Sequence, residues 1–218
     1  MRHSLYKYYD NCRWAEAFLD GELLFRSLSY FRDYEDESVR RDPNEGASIF
    51  RPEDGLVINN LTQGTTFTLP RHAFESAAKL EEIFVFCASN SQSDERREKF
   101  GAVACVEVLN IKSLCERIEP ALPPGATFRG QRVEYYGETE NCTPRWALPD
   151  KIATSKLASY AWQNEYRLLY CLTGALEFEN VDLRLVQENA SKPIRLAEHR
   201  EQLLKVGSLR DICRLHEF

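Results

Sequence analysis

The sequence predicts a single α+β domain. Segments of strand character crowd the middle of the chain and do not alternate regularly with helices, which argues against a doubly wound parallel sheet. No repeat, low-complexity tract or linker divides residues 1–218. With 218 residues there is enough chain to bury a substantial core. Hydrophobic residues at 43% and charged residues at 28% are the balance of a globular protein. No window reaches the ~18 uncharged apolar residues of a membrane helix.

The aromatic "LYKYY" reads as the first strand. "NCRWAEAFLDG" follows as a helix: Asn11 can cap it, Trp14, Phe18 and Leu19 recur at helical spacing, and Gly21 stops it. "ELLFRSLSYF" is the second strand, and strand alternation puts Ser27 and Ser29 on one face. From Arg32 to Gly55 the chain mixes both charge signs with two prolines and two glycines. That composition reads as a surface loop, either a solvated connection or a lid.

"LVINN" and "TTFTL" flank Gln63-Gly64 as a hairpin, and "HAFESAAKLEE" reads as a short helix. "IFVFCAS" and "AVACVEVL" are buried strands, joined by the polar loop or short helix "NSQSDERREKFG". "NIKSLCERIEPAL" is an amphipathic helix with Asn110 as its cap, and "TFRGQRVEYYG" is a strand or hairpin. "PDKIATSKLASYAWQNEYRLLYCL" runs from a short helix into a strand, and "VDLRLVQ" supplies one or two more. "AEHREQLLKVGSLRDICRLHEF" starts as a helix with Leu203, Leu204 and Val206 on the sheet, and His199 and His216 fall on the surface.

Net charge is −6 and the pI is about 5.4, which argues against a broad nucleic-acid-binding surface and leaves room for a local basic cleft. The seven cysteines are odd in number and have no metal-ligand spacing, which fits free thiols in a reducing compartment. The four histidines are scattered, so no metal site is expected. The N-terminus "MRHSLYKYYD" has no secretory h-region, and the expected localisation is cytoplasmic, with no membrane partner. There is no GxGxxG and no GxxxxGK[ST], which excludes those two nucleotide-binding fingerprints.

The least ordinary stretch is "YAWQNEYRLLYCL". Read as a strand, it sets Gln163, Glu165 and Arg167 on one face at ~7 Å intervals. A sheet edge on which Glu165 pairs with Arg167 or a neighbouring basic residue is the plain account. Two other stretches set a functional account beside it. Ser27 and Ser29, followed by Tyr30 and Phe31, could line a cleft for a ribose and a flat ring; Tyr6 and Lys7 stand on the first strand.

In this order, "LYKYY", "FRSLSYF" and "QNEYRL" resemble the three-part pattern of the mono-ADP-ribosyltransferase superfamily. The resemblance implies a split, mainly antiparallel sheet flanked by helices, with NAD held between its halves as a substrate. Glu165 then matches the family's catalytic glutamate and Gln163 the residue two before it. Ser27 and Ser29 match the serine motif, here Ser-Leu-Ser. Tyr6 and Lys7 take the first-strand place, where many members carry Arg or His. Tyr30 and Phe31 would stack on nicotinamide, and Arg26, Arg32 or Lys7 would pair with the pyrophosphate.

The chain also resembles an uncharacterised bacterial family with an N-terminal Tyr-Lys/Arg-Tyr, a Phe-x-Asp acidic loop and a Trp-x-x-Glu-Tyr-Arg strand, some of it encoded near phage-defence or toxin systems. The expected function is transfer of ADP-ribose to a macromolecular acceptor, protein or nucleic acid. The alternative is a non-catalytic immunity or adaptor module that binds a partner through the acidic loop. The two readings part on whether Ser27, Ser29 and Glu165 meet in one cleft. A metal-dependent nuclease on Asp33, Glu35, Asp36 and Asp42 is a third reading.

Overall fold

The computed structural model describes residues 4–33, 42–140, 147–172, 174–187 and 198–218. Strand β1 (Leu5–Tyr9) feeds helix α1 (Cys12–Leu19), capped by the Asn11 side chain, which accepts from the Arg13 N–H at 2.9 Å. Gly21 then turns the chain with φ +94°, and a Cβ there would lie 2.0 Å from the Gly207 carbonyl oxygen. The turn admits glycine because the C-terminal segment crosses directly over it, with Val206 N–H donating to Gly21 O at 2.9 Å. Strand β2 (Glu22–Ser27) follows.

Strand β7 (Ile83–Ser89) is the trunk of an eight-stranded sheet. One of its edges pairs along its full length with β12 (Glu165–Cys171), and β9 (Thr127–Arg132) lies outside β12. The other edge is shared. Phe84 and Val85 stand opposite Ser27 and Arg26 of β2, while Ser89 stands opposite Tyr6 of β1. Outside β2 lies β14 (Glu201–Lys205); outside β1 lie β8 (Ala104–Val108) and β15 (Cys213–Glu217). Every pairing in this sheet is antiparallel. The sheet therefore forks between β1 and β2, and the chain is mixed α and β with mainly antiparallel sheets.

Strand alternation sorts the two faces. Leu23, Phe25, Phe84, Phe86, Leu168 and Tyr170 face α1 and form the larger core with Phe18. Phe18 stacks on Phe86 at 5.6 Å and Phe84 on Tyr170 at 5.0 Å between ring centroids. The opposite face carries Val85, Leu169 and Cys171 in a smaller core, closed by helices α2 (Leu28–Asp33) and α5 (Pro149–Ile152).

Several segments depart from expectation. "ELLFRSLSYF" is a strand only to Ser27 and then becomes α2. Strand β3 (Ala47–Phe50) lies within the expected acidic loop, whose residues 34–41 fall outside the described residues. The hairpin β4 (Leu56–Asn60) and β5 (Thr65–Leu69) forms as expected. "HAFESAAKLEE" is not a helix: β6 (His72–Ala78) pairs with β3 on one side and β13 (Val181–Gln187) on the other. Two strand partners outweigh the helix propensity of Ala and Glu.

Helices α3 (Asp94–Lys99) and α4 (Ile111–Ile118) agree with the sequence, and Asn110 caps α4. "TFRGQRVEYYG" is no hairpin, because β10 (Glu134–Tyr136) pairs in parallel with β11 (Ser155–Leu157) instead of with β9. The C-terminal segment supplies β14 and β15 in place of a helix. Among the described residues no helix is long and apolar enough to cross a membrane.

Candidate functional site

A cleft of about 630 Å³ opens where the sheet forks. Val85 and Ser89 pair with β2 and β1, and Cys87 stands between them. Its carbonyl oxygen accepts from Lys7 Nζ at 2.8 Å, so a side chain occupies the place of a strand partner. The same ammonium lies 4.6 Å from the centre of the Phe86 ring.

Tyr6, Lys7, Arg26, Tyr30, Phe31, Gln163 and Glu165 all line this cleft. Arg26 and Tyr30 form one wall, with the guanidinium 4.0 Å from the ring centre and its Nε 3.7 Å from Glu201 Oε2. Tyr30 and Phe31 meet edge to face at 5.3 Å. Tyr6 donates to Glu107 Oε1 at 3.2 Å. The outer end is apolar: Trp14 and Leu203, the latter expected to pack on the sheet, are more than 40% exposed and line the cleft.

Three candidates lie elsewhere. Ser27 and Ser29 are fully buried, and their hydroxyls bond each other at 2.7 Å. Ser29 donates to Glu198 O at 3.0 Å, and Ser27 Oγ accepts from Arg200 N–H at 3.1 Å. They dock the segment before β14, because the chain turns into α2 after Ser27 and carries Ser29 away from the sheet face. Arg32 donates to Glu45 O at 2.6 and 3.0 Å and does not line the cleft. The serine pair and Glu165 therefore do not meet in one cleft.

Gln163 is not a strand residue. It ends a 3-10 turn, and Asn164 reverses the chain with φ 44°, a left-handed value that Asn tolerates. Asn90 clamps this turn, donating to Asn164 O at 2.8 Å and Glu165 O at 3.0 Å. The turn, and not strand alternation, brings Gln163 and Glu165 together on the cleft floor.

That floor is a buried charge cluster, of which sequence reasoning anticipated the Glu165–Arg167 pair and missed Lys156 and Glu45. Glu165 accepts from Arg167 Nε at 2.8 Å and from Lys156 Nζ at 2.9 Å. Lys156 also donates to Gln163 Oε1 at 2.9 Å. Behind them Arg167 holds Glu45 with two bonds, at 2.6 and 2.9 Å. All four charged residues are at most 6% exposed. Two cations face two carboxylates, the arrangement that makes buried charge tolerable. Nothing in "TSKLAS" marks Lys156, and Glu45 lies 120 residues before Glu165.

Burial pushes the Glu165 carboxyl up, but Arg167 and Lys156 override it and hold the group well below the usual carboxylate range. Burial pulls Lys156 down, yet Glu165 and Glu45 lift it above its ordinary value. Burial, with Glu165 beside it, pushes the Cys87 thiol up to about 12, so this cleft cysteine stays protonated. Burial and Glu45 also push Asp42 up to about 6.

Of the expected nuclease carboxylates, Asp42 is buried in its own turn and Glu35 and Asp36 lie outside the described residues. Among the described residues no group of three or more metal-ligating side chains converges. His216, expected to stand alone, has Nε2 3.1 Å from Glu107 Oε2, and His199 has Nε2 3.9 Å from Asp33 Oδ2.

The molecule is thus defined as a forked antiparallel sheet with an aromatic, mixed-charge cleft over a buried ion cluster. The chain matches no family model, no curated protein and no solved structure, so the cleft's own geometry carries the functional reading.

Proposed function

We propose that the protein is a mono-ADP-ribosyltransferase-like enzyme that cleaves NAD and transfers ADP-ribose to a macromolecular acceptor, in the phage-defence or toxin setting its sequence resemblance implies. The observation that carries this reading is convergence. Residues far apart in the sequence, Tyr6, Lys7, Arg26, Tyr30, Phe31, Gln163 and Glu165, line one cleft at the fork of a split sheet. Its volume suits a nucleotide-sized ligand.

In the reaction the bond between nicotinamide and ribose breaks and its electron pair leaves with nicotinamide. The ribose becomes oxocarbenium-like, and an acceptor nucleophile bonds to it and gives up its proton to water. Glu165, ionised on the floor, stabilises the positive ribose. Arg167 holds that carboxylate from behind, and Gln163 orients the acceptor. The Arg26–Tyr30 wall stacks on a ring, and Lys7 and Arg26 offer positive charge to the pyrophosphate.

The test incubates the protein with labelled NAD and protein, DNA and RNA acceptors, beside Glu165→Gln. The variant should lose ~10²–10³ in rate while NAD still raises its melting temperature. Normal activity in the variant removes Glu165 from the mechanism. If the wild type is inert and NAD leaves its melting temperature unmoved, the enzyme reading is lost.

A second reading, a non-catalytic partner-binding module, is the one favoured by the failure of Ser27, Ser29 and Glu165 to meet in one cleft. Ser27 and Ser29 are committed to the fold, and Lys156 and Arg167 neutralise the acids around Glu165. A stable complex with a partner protein, formed equally by the wild type and Glu165→Gln without NAD, favours it.

A further inference from the structure

The three-stranded sheet has an edge whose sequence is complementary to itself. Among the described residues β13 pairs only with β6, leaving its far edge open. An exposed edge strand is a template for another strand unless charge, proline or a bulge blunts it. Here Leu183 and Leu185 are 60% and 51% exposed and share one face, while Asp182 and Arg184 share the other.

We propose that β13 pairs antiparallel with β13 of a second copy of this chain, about a two-fold axis through Leu183, so that the two three-stranded sheets become continuous. The inference is independent of the cleft. A two-fold axis perpendicular to a sheet returns each side chain to its own face, so the axis must pass through a residue position. At Leu183 it sets Asp182 opposite Arg184 of the second copy, twice by symmetry. It also sets Val181 opposite Leu185 twice, and Leu183 against its own mate. Moved to Arg184, the axis sets two guanidinium groups face to face; moved to Asp182, two carboxylates. Opposite charges directly across a strand pair stabilise and like charges destabilise, so the Leu183 register is selected. Arg184 Nε lies 2.9 Å from Glu75 Oε1 on β6, away from the open edge, and half of its side chain stays in solvent, where Asp182 of the second copy would meet it. The contact is isologous and closes at two copies.

Sedimentation across a concentration series tests the proposal. The wild type should dimerise, and Asp182→Arg should weaken the dimer about tenfold or more. In a Cys12→Ser background, Leu183→Cys should form a disulfide-linked dimer on mild oxidation. Val57→Cys, at a position 61% exposed on the β4–β5 hairpin, should not. A wild type that stays monomeric, a dimer that ignores Asp182→Arg, or equal cross-linking by both cysteine variants overturns the proposal. The sedimentation of the wild type and the cross-link decide without the Asp182 variant.

Discussion

The two faces of β12 bury side chains by opposite means. On one face Leu168 and Tyr170 join an aromatic core with Phe25, Phe84 and Phe86. On the other, one turn of the pleat away, Glu165 and Arg167 are just as buried but sit among Glu45, Lys156 and Gln163. The apolar face depends on volume and fit but on no single partner, because burial of apolar area has no direction while a cavity still costs contacts. The charged face depends on each partner, because a buried charge left alone is costly. Consequently the same strand answers to volume on one side and to specific partners on the other, and the side that needs partners faces the cleft.

The largest expected effect breaks the charged face. Arg167→Met leaves Glu45 and Glu165 to share Lys156 alone and should cost about 3–5 kcal/mol in urea unfolding. Adding Glu45→Gln to that variant should cost less than the two single changes summed, since the pair acts as a unit. If the changes simply add, the cluster is not coupled as its bonds imply.

Phe25→Ala tests the apolar face. The ring is fully buried and meets Phe86 and Tyr170 at 5.7 and 5.3 Å, so its loss should cost about 3–4 kcal/mol through the cavity it leaves. This loss should be the same at pH 5 and pH 7, whereas that of Arg167→Met should change with pH.

Next in size is a pH effect from the charged side alone. Burial and Glu45 raise Asp42 to about 6 in the folded chain from its ordinary 3.8, so the folded state binds more protons between those values. Stability from this group is thus greatest at low pH and declines as pH rises from about 4 to 7, by on the order of 3 kcal/mol. Asp42→Asn should flatten that slope. Glu165 has the opposite sign. Its depressed value contributes stability above the ordinary carboxylate range, and that stability is lost as pH falls below it. A wild-type profile with no rise on acidification toward pH 4.5 would contradict the Asp42 assignment.

The smallest effect is Gln163→Ala, which removes one acceptor from Lys156 and should cost about 1–2 kcal/mol. A larger loss would move Gln163 from the rim of the cluster into its frame.

Local sequence patterns made much of the sheet legible. "LYKYY", "IFVFCAS", "AVACVEV" and "EYRLLYC" are strands, and Asn11 and Asn110 cap the helices expected of them. "HAFESAA" and "EQLLK" were not legible, because their strand state comes from partners far along the chain: β3 and β13 for one, β2 for the other. In the site, the alternation of Gln163 and Glu165 pointed to the right pair for the wrong reason, since a left-handed Asn164 aligns them. Ser27 and Ser29 misled because a helix begins at Leu28.

By itself the sequence determined the α+β class, the first three elements, the strong strands and seven of the residues that line the cleft. Alternating polarity and capping side chains act within a few residues, so they can be read along the chain. Only the tertiary structure decided that the sheet forks, that Lys7 stands in for a missing strand partner, and that Glu45 and Lys156 meet Glu165 and Arg167. Those outcomes depend on charges and backbone groups from distant segments satisfying one another out of water, and no local pattern encodes them.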